Sequence, residues 1–133
     1  MPPSPDATPR RILIVDDSSL IREAAKLALA TIRGWEVLTA SSGEEGLARA
    51  SADQPDAVLL DVVMPGLDGV AVAQRLAAGA DTRAIPVVML TAADGAEDRQ
   101  RLGELPVAGI IGKPFALDSL ATQLAVLVGW EQP

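Results

Sequence analysis

Three short apolar runs that each stop at a polar residue constrain this chain more than anything else in it. Ile12-Leu13-Ile14-Val15 stops at Asp16-Asp17, Ala57-Val58-Leu59-Leu60 at Asp61, and Val87-Val88-Met89-Leu90 at Thr91. Runs with no polar residue inside them suit strands buried on both faces, whereas a strand with one wet face would alternate. The segments between carry helical signals. Ser18 and Ser19 can cap a helix in which Leu20, Ile21, Ala24, Ala25, Ala28 and Ile32 recur at helical spacing, and Gly34 ends it. Residues 42–51 predict a second helix, with Glu44 and Glu45 in the first turn, where the helix dipole favours acids. Residues 70–78 predict a third, closed at Gly79, and residues 97–105 a short polar fourth. Leu117, Leu120, Leu124 and Leu127 mark an amphipathic last helix. Two weaker strands complete the pattern, a mixed one over 35–40 with Glu36 and Thr39 in it, and one over 108–112 that ends at Lys113.

Five strand–helix pairs in strict alternation predict an α/β fold with a parallel sheet covered by helices on both faces. Right-handed crossovers leave few topologies. The flavodoxin-like doubly wound sheet of five strands, in the order 2-1-3-4-5, suits the polar second strand because it places that strand at an edge. One domain over 10–129 accounts for nearly the whole chain. Residues 1–9 read as a disordered tail without the apolar core of a signal peptide, and 130–133 as a short C-terminal tail. The aromatics are Phe115, Trp35 and Trp130, so the core must be built from Ala, Val, Leu and Ile. No apolar run approaches the roughly 18 residues of a membrane span, and a cytoplasmic protein is expected.

A doubly wound sheet binds ligands outside the carboxyl ends of its strands, at the switch point between strands one and three. Asp16 and Asp17 end strand one and Asp61 ends strand three, so three carboxylates should converge there. Strand four adds Thr91 to the same rim and strand five adds Lys113. Each has an ordinary explanation alone: Asp61 as a turn-opening acid, Asp16-Asp17 as helix-capping acids, Thr91 bonded to backbone, Lys113 solvated. Their coincidence on one rim favours a site, and Lys113 is one of only two lysines against nine arginines.

Composition then narrows the chemistry. The chain has neither Cys nor His, which excludes thiolate chemistry, a Ser-His-Asp triad, a His-ligated zinc and a phosphohistidine of its own. A net charge of −7 argues against a nucleic-acid-binding surface. Clustered carboxylates repel one another, a cost that a hard divalent cation removes. Mg²⁺ suits a site with few carboxylates that shares its coordination with phosphate oxygens. Lys113 offers a point charge for such a phosphate, Thr91 a hydroxyl donor, and Asp61 a nucleophile that would form an aspartyl-phosphate.

Together, Asp16-Asp17 after an apolar strand, Leu60-Asp61 followed by Val-Val-Met-Pro-Gly-Leu-Asp-Gly, Thr91-Ala92 and Lys113-Pro114-Phe115 resemble the receiver domain of bacterial response regulators. The resemblance covers residues 10 to 129. It implies that Asp61 accepts a phosphoryl group from a phosphohistidine on a sensor histidine kinase or a histidine phosphotransfer protein. It also implies that Asp17, Asp61 and the Val63 carbonyl bind Mg²⁺ with Asp16 acting through water, that Thr91 and Lys113 hold the phosphoryl oxygens, and that the Lys113–Pro114 bond is cis. Such a domain is a signalling switch that assists its own phosphorylation and dephosphorylation; it is not an enzyme in the ordinary sense. The family often carries Tyr or Phe three residues before the lysine, where this chain has Ile110. With no output domain expected, signalling would pass to an unknown downstream protein or along a phosphorelay. The candidate face is 97–105 with the strand and helix that follow, and the protein is expected to be a monomer or to dimerise on phosphorylation.

Other readings make different demands. A phosphatase of the haloacid dehalogenase type wants a second acid two residues after the nucleophile, where this chain has Val63. A flavodoxin-like cofactor binder wants a glycine- or hydroxyl-rich phosphate loop after strand one, which is absent. A receiver-like adaptor that works without phosphorylation has no need of Asp17, Asp61, Thr91 and Lys113 together.

Overall fold

The computed structural model describes residues 10–64, 66–91, 104–112 and 115–131. Strands β1 (Arg11–Val15), β2 (Glu36–Ala40), β3 (Ala57–Asp61), β4 (Val87–Thr91) and β5 (Gly109–Gly112) form one sheet in the order β2-β1-β3-β4-β5. Every pairing is parallel. Four helices are described: α1 (Ser19–Arg33), α2 (Gly43–Asp53), α3 (Gly69–Ala78) and α4 (Leu117–Leu127). The expected polar helix over 97–105 falls mostly outside the described residues. None of the described helices is long and apolar enough to cross a membrane.

The continuous apolar runs are buried from both sides, as parallel strands require. Because side chains alternate along a strand, the sheet has two cores. Ile12, Ile14, Leu59, Val88, Leu90 and Ile111 face α1 and α4, meeting Ala25, Leu29, Leu120 and Leu124. Leu13, Val15, Val58, Leu60, Val87 and Met89 face α2 and α3, meeting Ala50, Val72, Ala73 and Leu76. The mixed strand β2 lies at the edge, with Glu36 exposed.

Helix ends follow local chemistry. Ser18 caps α1 by accepting from the Ile21 N–H, and Gly34 closes it in the left-handed region at φ 68°. Ser42 and Asp68 cap α2 and α3 in the same way. The row that α1 buries differs from the one its spacing suggests: Ala25, Ala28 and Leu29 are buried, while Leu20 is 77% and Ile32 49% exposed. Apolar residues cover so much of this helix that spacing cannot choose a face. In α4, Leu120 and Leu124 are buried with Ala121 and Ala125, while Leu117 is exposed.

A seam closes the pole where the strands begin. Trp130, just past α4, meets Trp35 edge to face with ring centroids 5.5 Å apart. The Arg10 guanidinium lies 3.9 Å from the centre of the Trp130 ring. Arg33 at the end of α1 pairs with Glu131 and donates to the Thr122 hydroxyl at 2.9 Å.

Candidate active site at the carboxyl ends of the strands

The site lies at the opposite pole. Asp16 follows β1, and its backbone N–H donates to the Ala40 carbonyl at 3.1 Å, extending the ladder one residue past the strand. Its side chain is fully buried, and its Oδ1 accepts from the Ser18 N–H at 2.9 Å. The acid is therefore locked into the turn that Ser18 converts into α1. Asp16 and Asp17 are not the helix cap; Ser18 performs that task. The Arg22 guanidinium, on the first turn of α1, donates to the Asp16 carbonyl at 2.7 Å.

Asp61 ends β3 and is only 6% exposed. The Val62 N–H donates to the Leu90 carbonyl at 3.0 Å, so β3 stays in the sheet up to the residue after the acid. The Val63 N–H approaches the Asp61 Oδ1 at 3.4 Å, while the Val63 side chain is 76% exposed. Behind Asp61, α3 starts with Gly69, whose N–H donates to the Val62 carbonyl at 3.0 Å. Thr91 is buried at the end of β4 and pairs in register with Gly112, the last residue of β5.

Asp16, Asp17 and Asp61 each bring a carboxylate oxygen within 4.8 Å of the others. Two ionised carboxylates at that separation repel by on the order of 3 kcal/mol at an effective dielectric constant near 20, and less where Asp17 faces water. All three donors are hard oxygens, two of them buried, and together they suit a small divalent cation completed by water or phosphate oxygens. The expected convergence of these three acids is observed, with Thr91 on the neighbouring strand end. Lys113 and Pro114 lie outside the described residues.

Ile110 is partly buried against the core that faces α2 and α3, opposite Met89 in the sheet. Arg22 and Gly69 were not signalled as site residues by the sequence. A guanidinium bound to a main-chain carbonyl leaves no motif. Gly69 stands only as the last residue of the stretch after Asp61, where nothing marks its close approach to the main chain.

A family model described as the response regulator receiver domain matches residues 12–125. The response regulator MprA of Mycolicibacterium vanbaalenii is 38% identical over 120 residues, covering 90% of this chain and 51% of that protein. MprA of Mycobacterium avium is 36% identical over 123 residues, covering 92% and 53%. This chain thus spans about half the length of these curated relatives. Among solved structures, the Vibrio cholerae chemotaxis protein CheY4 superposes with a TM-score of 0.83 at 30% identity, covering 90% of this chain and 99% of that one. The signal receiver domain of a signal transduction histidine kinase from Syntrophus aciditrophicus superposes with a TM-score of 0.81 at 32% identity, covering 92% of each.

Proposed function

The chain belongs to the response regulator receiver-domain family, and from that premise we propose that it is a phosphorylation-operated switch whose phosphoacceptor is Asp61. Signalling by phosphorylation, Mg²⁺ and aspartyl phosphate are typical of the family. The observation that carries the assignment is the position of Asp61: buried, at a strand end, with the Asp16 and Asp17 carboxylates within 4.8 Å.

In this reading an Asp61 carboxylate oxygen attacks the phosphorus of a phosphohistidine on a sensor kinase or phosphotransfer protein. A P–O bond forms, the P–N bond breaks, and its electron pair leaves with the imidazole. The protein's work is positioning and charge neutralisation. Asp17, Asp61 and the Val63 carbonyl would hold Mg²⁺, with Asp16 acting through water; the ion supplies charge compensation for the phosphoryl oxygens. Thr91 donates its hydroxyl to one of those oxygens, and Lys113 contributes its ammonium. The domain is assigned to 10–129. A downstream protein would read the phosphorylated state through residues 97–105 with the strand and helix that follow, β5 and α4, and Ile110 of β5 fills the position where the family often carries an aromatic.

The test is incubation with Mg²⁺ and a small-molecule phosphodonor such as acetyl phosphate, followed by intact mass. A single alkali-labile phosphoryl adduct is expected, absent in Asp61→Asn. An adduct that survives that substitution would sink the assignment.

A further inference from the structure

Arg22 reaches back twice to the turn that carries the acids. Its backbone N–H donates to the Ser18 carbonyl at 3.1 Å, and its Nη1 donates to the Asp16 carbonyl at 2.7 Å. The first bond belongs to the helix. The second does not, since Asp16 lies outside α1. A charged donor on a carbonyl makes a short, strong bond, and among the described residues Arg22 makes no ion pair with a carboxylate.

The peptide unit is planar, so fixing the Asp16 carbonyl oxygen fixes the plane that also holds the Asp17 N–H and Cα. The same residue is tied on its side-chain end, through Oδ1 to the Ser18 N–H. Of the three clustered acids only Asp17 is exposed. Packing therefore does little to place its carboxylate, and its backbone decides where the side chain sets out from.

We propose that Arg22 is a positioning residue: by clamping the Asp16–Asp17 peptide it sets the Asp17 carboxylate against Asp16 and Asp61 and raises the affinity of the cluster for Mg²⁺. The inference rests on reading this cluster as the Mg²⁺-assisted phosphoacceptor site. Its sign sets it apart from a simple charge effect. A nearby cation weakens cation binding by Coulomb repulsion, so if charge alone mattered, removing Arg22 would tighten Mg²⁺ binding.

The experiment is a calorimetric Mg²⁺ titration of the full chain and of R22M, R22Q and R22K, paired with thermal unfolding of each in chelator. R22M and R22Q should bind Mg²⁺ about tenfold more weakly, the size of effect seen when groups supporting metal ligands are removed. Their unfolding temperatures without metal should stay near that of the unsubstituted chain, and R22K, which keeps a charged donor, should recover most of the affinity. Unchanged or tighter binding in R22M and R22Q overturns the proposal, as does a loss of affinity that R22K fails to recover. A loss matched by unfolding in chelator, in both neutral variants, overturns it in favour of a purely structural role. If the unsubstituted chain fails to bind Mg²⁺, the phosphoacceptor reading itself falls, a result distinct from any difference among the variants.

Discussion

Gly69 presses directly on the main chain of Asp61. A Cβ at position 69 would lie 2.8 Å from the Val62 Cα and 2.9 Å from the Asp61 carbonyl carbon, and closer still to the Asp61 carbonyl oxygen. All are backbone atoms of a strand end held in the sheet, so none can rotate aside. Gly69→Ala must move either α3 or Asp61. The expected result is a loss of about 1–3 kcal/mol of stability, as for other overpacked sites, together with slower phosphorylation by a small-molecule donor. Urea unfolding and intact mass would measure the two; an unchanged phosphorylation rate would show that α3 gives way and the acid does not.

Gly66 is needed for a different reason. It sits at φ 75° with open space around it, the nearest atom to an added Cβ being the Glu44 Oε1 at 4.0 Å. Gly66→Ala should cost about 1–2 kcal/mol from the left-handed backbone alone, read by the same urea unfolding.

The lifetime of the phosphorylated state should be long. Val63 is exposed beside Asp61 and carries no polar group to orient a water for attack on the acyl phosphate. Ala93, two residues after Thr91 and likewise without a polar side chain, lies outside the described residues. Following the adduct by mass after the donor is removed gives the decay rate. Val63→Asn should shorten it, and a half-life of only a few seconds in the unsubstituted chain would contradict the expectation.

The face that α1 presents to the sheet can be checked by truncation. Leu29 is fully buried among Ile12, Ile14 and Leu124, whereas Leu20 stands in solvent. Leu29→Ala should cost about 2–5 kcal/mol, and Leu20→Ala no more than about 0.5 kcal/mol. Equal costs in denaturant unfolding would mean the helix is rotated from the orientation described.

Acid should loosen the tryptophan seam. The hydrogen bond from Arg33, aided by its charge, holds the Glu131 carboxyl below its ordinary value and raises that of Arg33, against a smaller opposing effect of burial. A depressed carboxyl stabilises the fold above its unfolded value, and that contribution disappears as the pH falls through the folded one. Both side chains are partly exposed, so water screens the pair and the effect is modest. The stability gap between the unsubstituted chain and Glu131→Gln should be largest near neutral pH and vanish in acid; a gap that widens on acidification would reverse the sign.

Much of the fold was legible because buried parallel strands write themselves as uninterrupted apolar runs. The runs of β1, β3 and β4, the edge position of β2 and the caps at Ser18 and Gly34 could all be read directly. The three acids were legible for the same reason, since the β1 run stops at Asp16-Asp17 and the β3 run at Asp61. What could not be read were relations made by the main chain. Apolar residues cover so much of α1 that its buried face could not be chosen, the bond from the Arg22 guanidinium to the Asp16 carbonyl leaves no motif, and the tight fit of Gly69 depends on where two backbones cross. The part played by Trp130 and Glu131 was equally hidden: they lie past the expected domain end at residue 129, yet Trp130 meets Trp35 and Glu131 pairs with Arg33 at the end of α1.

Trp35 precedes β2 and Trp130 rests on Arg10, which precedes β1, so both indoles stand about a strand's length, roughly 16 Å, from the acids. They are the only tryptophans, and the chain has no tyrosine. Its ultraviolet emission is therefore a remote gauge. Phosphate or metal arriving at the rim is dark to it, and any change in colour or intensity on loading the site measures how much of that event has crossed the sheet.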